Sequence, residues 1–228
     1  MFEPESIVWK FLAAAPQLVQ GLCTTLTLFS GALVLGLLLG TVLAALRELA
    51  PKAVASAAGH YVNCFRAIPT ILLIFWMFTL PPYALKIVSG NPYASMDPTT
   101  SALIALSLTQ SAYYCEIIRA GFGGIRDGQL QAARALGLSQ SQTFASVLVP
   151  QALRNMSPVL ISQSIGLFKD TTLVYVVSLQ DLLGMATMIG QRDNYVIEFY
   201  LLAAAVYLGI CSAGVALVRL LQKRRFDR

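Results

Sequence analysis

Lys169 and Asp170 are adjacent charges inside an otherwise apolar run, Asn155 to Leu179, and chemistry concentrates there. Fourteen residues separate Arg154 from Lys169, about 21 Å of helix, and nine apolar or hydroxyl residues follow Asp170 to Leu179. In a membrane segment both charges lie within hydrocarbon, where each is costly unless it faces protein, a cavity or a bound partner. Adjacent helical residues diverge, so each charge needs its own partner unless the helix breaks there. A zwitterion supplies both, a carboxylate for Lys169 and an ammonium for Asp170. Thr171 and Thr172 follow, offering hydroxyls to backbone groups freed by a broken helix, an arrangement that transporters place at mid-membrane. The competing reading is a structural brace, in which Glu116 or Gln163 holds the pair.

Other chemistries are excluded on their motifs. There is no GxxxxGK[ST], and Gly166-Leu167-Phe168-Lys169 lacks both the first glycine and the following Ser/Thr, so the chain cradles no ATP in a P-loop. Cys23, Cys64, Cys115 and Cys211 have no metal-ligand spacing, and His60 is the single histidine, so no metal site is expected. The thiols are expected to fill core space. His60 has no glycine-flanked serine in a span to pair with, which leaves no intramembrane protease.

The elements that position these residues are membrane helices. Of 228 residues, 57% are hydrophobic and 12% charged, about half the ~25% of an average soluble protein, and the mean hydropathy is +0.68. The opening MFEPES is acidic and has no basic n-region, so no cleaved signal is expected. With ~20 apolar residues per crossing, the chain reads as an all-α integral membrane protein of five spans, 22–46, 67–85, 99–115, 155–179 and 196–218. Gly36 and Gly40 form a GxxxG in the first span, which favours close helix packing, and Trp76, Tyr83 and Tyr93 suit an interfacial belt. With the N-terminus outside, twelve Lys and Arg, including Arg126 and Arg228, fall on the cytoplasmic side, against Lys10, Lys86 and Arg192 outside. That asymmetry sets N-out, C-in. It places the loop 50–61 and the stretch 119–154 in the cytoplasm, and 82–98 and 180–195 outside.

The stretch 119–154 is too long for a bare connection. Gly128 to Gly137 reads as a short helix with Gly137 just past its end. Ser139 and Gln142 form a capping box for a second helix, which Pro150 ends or kinks. Leu130, Ala133 and Leu136 or Gly137 recur at helical spacing as one small-residue face. That face either turns against its own bundle or docks in a cleft of a cytoplasmic partner.

Gln131-Ala132-Ala133, three residues, Gly137, nine residues and Val147-Leu148-Val149-Pro150 together resemble the EAA loop of ATP-binding-cassette importer permeases. Tyr61–Pro69, Ser111–Gly121 and Lys169–Leu173 resemble the polar amino-acid uptake members, glutamate/aspartate-type subunits most of all. The resemblance implies a single permease domain over 1–228, a type I importer fold in a bacterial inner membrane, and a cytoplasmic coupling helix. It implies partners: a second permease, like or unlike, two ATPase subunits that bind ATP-Mg, and an extracytoplasmic solute-binding protein. The chain itself is expected to hydrolyse nothing, to bind no cofactor and no nucleic acid, and to sit in lipid. Gly128, Gln129, Gln131, Ala132, Ala133, Gly137 and Pro150 are the implied coupling residues. Lys169, Asp170, Thr171, Thr172, Glu116 and Gln163 are the candidate substrate residues. Gln131 replaces the usual glutamate, so any salt bridge from that acid is lost or becomes a hydrogen bond. An ion-gradient-driven amino-acid transporter, with Glu116 and Asp170 titrating, is the alternative, and a non-transporting scaffold a third.

Overall fold

The computed structural model describes residues 4–125 and 127–226. Arg126 and Arg228, both used for the orientation, lie outside the described residues, as do the side chains of Leu130, Arg134 and everything from residue 221. The regular structure described is all helical: α1 (Pro4–Leu49), α2 (Lys52–Ala67), α3 (Thr70–Ser89), α4 (Pro98–Gly123), α5 (Asp127–Ala135) and α6 (Gln140–Thr143). A π-helical segment (Phe144–Leu148), α7 (Val149–Asp170), a 3₁₀ segment (Thr171–Val177), α8 (Leu182–Asp193) and α9 (Val196–Phe226) complete it.

Among the described residues three helices are long and apolar enough to cross a membrane, within Trp9–Leu49, Thr70–Ser89 and Val196–Leu220. Ser146–Val177 and Leu182–Asp193 pass together as a pair bent by 49°. The helix over the expected third span, α4, does not reach that apolarity. Its Ser101, Ser107, Thr109, Gln110 and Ser111 are buried, so protein rather than lipid surrounds them and no apolar surface is required.

Several helices run beyond the expected spans. α1 starts eighteen residues before the expected Leu22. Lys10, counted in the sequence among the outer basic residues, lies 3.9 Å from the centre of the Tyr195 ring and donates to the Asp193 carbonyl at 3.5 Å. The expected loop 50–61 is mostly α2, and the expected outer stretch 180–195 contains α8. α8 buries Leu182, Met185, Ala186 and Ile189, and residues so apolar need a packed surface, not a solvated loop.

The chain divides into two compact units. The first comprises the described residues to Leu33, Pro69–Ser107 and Gly166–Ala213. Its core gathers Ala14, Ala186, Ile189, Phe199 and Ala203, with Phe11 edge-on to Phe199 at 5.1 Å. Asp97 caps α4 there: the Thr100 amide donates to its carboxylate at 2.9 Å, and this bond foremost, with the Thr100 hydroxyl, holds the carboxyl below its ordinary range.

The second unit comprises Val34–Ile68, Leu108–Ile165 and the described residues from Gly214. Ala44, Val62, Ala112, Cys115, Ile118 and Met156 form its core. The GxxxG glycines bring α1 onto α4: a Cβ on Gly36 would stand 2.9 Å from the Gln110 Cβ, and one on Gly40 2.8 Å from the Tyr114 Cβ. Of the thiols only Cys115 is fully buried, while Cys23 and Cys64 are exposed, a correction to the expectation of core cysteines. On apolar helices a small thiol is as acceptable to lipid as to protein.

Candidate functional site

In the first unit, α7 stops being α-helical at Asp170 and the chain tightens into the 3₁₀ segment. The changeover leaves carbonyls without regular partners. The Thr171 hydroxyl donates to the Phe168 carbonyl at 2.7 Å, and Thr172 to that of Lys169 at 2.8 Å. The two threonines do what the sequence suggested. The segment packs on α3 and α8 and ends at Ser178, whose φ is +60°. At the break, Lys169 is exposed and Asp170 half-buried. Beyond its neighbour Lys169, Asp170 meets no hydrogen-bond or ion-pair partner among the described residues.

A buried carboxylate caps the helix that follows this break, and sequence reasoning missed it. Asp181 is fully buried and caps α8, accepting from the Gly184 amide at 2.8 Å and from the Tyr207 hydroxyl at 3.2 Å. The Thr25 hydroxyl of α1 accepts from the Leu182 amide at 3.1 Å. A Cβ on Gly21 would stand 2.8 Å from the Asp181 carbonyl, so only glycine lets α1 approach this turn. The available signal was an N-cap pattern, Asp181 directly before the apolar Leu182-Leu183.

Glu116 and Gln163 belong to the second unit and are engaged there. Arg47 of α1 forms an ion pair with Glu116, Arg119 reaches it at 3.5 Å and Arg66 of α2 at 3.8 Å. Arg119 also holds Glu48 at 3.1 Å. Gln163 donates to Gln110 at 3.0 Å, and the buried Gln110 Nε2 has no hydrogen-bond partner among the described residues. Glu116 thus braces α1, α2 and α4 rather than Lys169–Asp170.

The stretch after α4 follows its sequence pattern closely. α5 ends in a Schellman turn, the Leu138 amide donating to the Ala133 carbonyl at 3.1 Å with Gly137 at φ +74°. The capping box is complete: Ser139 N–H donates to Gln142 Oε1 at 2.9 Å, and Gln142 N–H to Ser139 Oγ at 3.3 Å. Pro150 lies in the first turn of α7, where its missing N–H is harmless, directly after the π-helical segment. The single small-residue face is corrected: Ala133 is buried, while Leu136 is exposed with Gly128, Gln129, Gln131 and Ala132. At 3.6 residues per turn, Ala133 and Leu136 straddle the edge between two faces, and the exposed one runs through 128, 132 and 136.

Among the described residues the chain is thus all helical, with a broken helix in the first unit and an exposed, capped helix in the second. The comparisons give its class: residues 32–227 match the family of binding-protein-dependent transport system inner membrane components, and the chain belongs to that family. It is a multi-pass permease subunit of type I importer fold, and ATP is hydrolysed by a separate partner, which sets aside the gradient-driven alternative. The glutamate/aspartate import permease protein GltK of Escherichia coli O6:H1 is 42% identical over 94% of this chain and 96% of its own. The probable glutamine ABC transporter permease protein GlnP of Bacillus subtilis is 33% identical over 84% and 85%. Among solved structures, an amino acid ABC transporter with histidines superposes with a TM-score of 0.85 at 27% identity, covering 98% of this chain and 99% of that one. The MetNI methionine ABC transporter, at 22% identity and TM-score 0.63, shares the fold.

Proposed function

We infer that this permease subunit imports polar amino acids, glutamate or aspartate foremost, by alternating access through a path at the α7 break. Asp170 holds the α-ammonium, Lys169 a carboxylate, and Thr171 and Thr172 keep the break in shape. The observation that carries this is the unpartnered Asp170. Glu116 has three arginines and Asp181 an amide and a phenol, whereas Asp170 retains a half-buried carboxylate free to receive a cation. The 42% identity to a glutamate/aspartate permease supports the acidic substrate. In the second unit, Gln163 is held by Gln110, and Glu116 serves by bracing α1, α2 and α4.

The wider reading is a single permease domain over 1–228 crossing five times with the N-terminus outside. It works with a second permease, two ATPase subunits binding ATP-Mg and an extracytoplasmic binding protein in a bacterial inner membrane. Gly128, Gln129, Gln131, Ala132 and Gly137 present α5 to the ATPase, with Ala133 and Pro150 fixing its seat. ATPase closure draws the paired α5 helices together and opens the path outward.

The test is uptake of labelled glutamate, aspartate, glutamine and arginine into proteoliposomes containing the full complex. Asp170→Asn is expected to lower uptake of the preferred solute at least tenfold, the worth of one charge-assisted contact, with ATP hydrolysis retained. Unchanged rate and affinity in Asp170→Asn would remove Asp170 from the path.

A further inference from the structure

In the second unit, α1 and α4 leave between them a groove of about 560 Å³ at the end where both helices stop. Its walls are Ala44, Ala45, Leu49, Ile118, Phe122 and Gly123, with Glu48 and Arg119 at its polar edge. The small residues at 44, 45 and 123 make the groove, because larger side chains there would fill it. Val42, Leu46 and Leu49 on the adjoining face of α1 are exposed, so the groove opens on a surface that in a membrane meets acyl chains. Its size falls within the range that holds a small ligand.

The polar edge has a sign. Among the described residues of this cluster, three guanidiniums, Arg47, Arg66 and Arg119, answer two carboxylates, Glu48 and Glu116. One positive charge is uncompensated, and Lys52 follows Glu48 by four residues at the start of α2, also exposed. Glu48 is the weakest-held member: its side chain is 60% exposed and its single ion pair is with Arg119. An anion arriving from the membrane surface competes with Glu48 for Arg119 without disturbing the Arg47–Glu116 pair behind it. Basic sites between membrane helices at headgroup depth select anionic lipid headgroups, and guanidinium matches phosphate oxygens in geometry as well as charge.

We propose that this groove is a binding site for one anionic phospholipid, its phosphate on Arg119 and one acyl chain lying along Ala44, Ala45, Ile118 and Phe122. The site ties α1 to α4 at the level where Glu116 already ties them. It rests on the membrane reading of the chain and not on which solute is carried.

The experiment is native mass spectrometry of the full chain, purified with its permease mate and titrated with phosphatidylglycerol, phosphatidylcholine and glycerol phosphate. Phosphatidylglycerol is expected to be retained about tenfold better than phosphatidylcholine, with no binding of glycerol phosphate. Arg119→Gln abolishes that preference, and Ala45→Leu, which fills the groove without altering charge, removes both lipids. Glu48→Gln raises phosphatidylglycerol affinity, because the competing carboxylate is gone; a merely structural Glu48–Arg119 bridge would not make the two variants move in opposite directions. Equal retention of the two lipids by the unaltered chain would overturn the proposal, as would unchanged binding in both Arg119→Gln and Ala45→Leu. Glycerol phosphate binding as well as the lipid would make the site one for a free phosphate and overturn it too. Uptake measured in parallel keeps the readings apart, since absence of lipid preference in the unaltered chain with uptake intact sinks this inference alone.

Discussion

Glu116, Asp181 and Asp170 are three carboxylates on mainly apolar helices, and their surroundings assign them different work. Arginines on three helices share Glu116, a helix N-terminus and a phenol hold Asp181, and Asp170 is left available. Glycines show the same division between neighbours that touch and neighbours that do not. A Cβ on Gly40 meets the Tyr114 Cβ at 2.8 Å and the Ser111 carbonyl at 2.9 Å, whereas one on Gly59 meets nothing closer than the Arg47 Nε at 3.8 Å. Gly40→Ala therefore forces α1 off α4 and is expected to cost about 1–3 kcal/mol. Gly59→Ala, within α2, is expected to be neutral or to gain up to about 1 kcal/mol from helix propensity. Thermal aggregation midpoints of the detergent-solubilised chain check this: a lower midpoint for Gly40→Ala and an equal or higher one for Gly59→Ala. Equal midpoints for the two would show that α1 is not seated on α4 at Gly40.

At the scale of elements, α5 offers the sharpest contrast, because adjacent alanines face opposite ways. Ala133 is 4% exposed while Ala132 lies open. Ala132→Arg is expected to leave the stability of the permease within about 0.5 kcal/mol and to lower co-purifying ATPase roughly tenfold. Ala133→Arg is expected to lower the yield of folded permease itself, since it buries an unpaired charge. If Ala132→Arg retained full ATPase, α5 would not be the coupling element. This region was the most legible part of the chain. Gly137, Ser139 and Gln142 act through local backbone chemistry, which spacing alone reveals, and the Schellman turn and capping box stand where they were expected. Asp181 showed only an N-cap pattern, because its phenol partner Tyr207 is 26 residues away and Thr25, which accepts from the adjacent Leu182 amide, lies 157 residues before Leu182. Glu116 drew attention by its charge, but the three arginines that claim it come from three different helices.

For the whole molecule, the number of crossings turns on α4. Apolarity alone marks three helices and one bent pair, and α4 fails that test because its buried serines, threonines and Gln110 meet protein. A helix surrounded by others crosses without an apolar surface, so five crossings follow if α4 spans and four if it does not. The segments flanking α4 decide between these. If α4 crosses, the turn at Tyr93, which is 87% exposed, and the end of α5 at Leu136, 81% exposed, lie on opposite sides of the membrane; otherwise they share one. In the proposed orientation the α5 side, with its basic residues at 119, 134 and 154, faces the cytoplasm. With the exposed Cys23 and Cys64 replaced by serine, Tyr93→Cys is expected to react with a membrane-impermeant maleimide in intact spheroplasts. Leu136→Cys is expected to react only after permeabilisation. Labelling of both from outside, or of neither, would mean that α4 does not cross. Labelling of Leu136→Cys alone would keep five crossings and invert the orientation, putting α5 out of reach of any cytoplasmic ATPase.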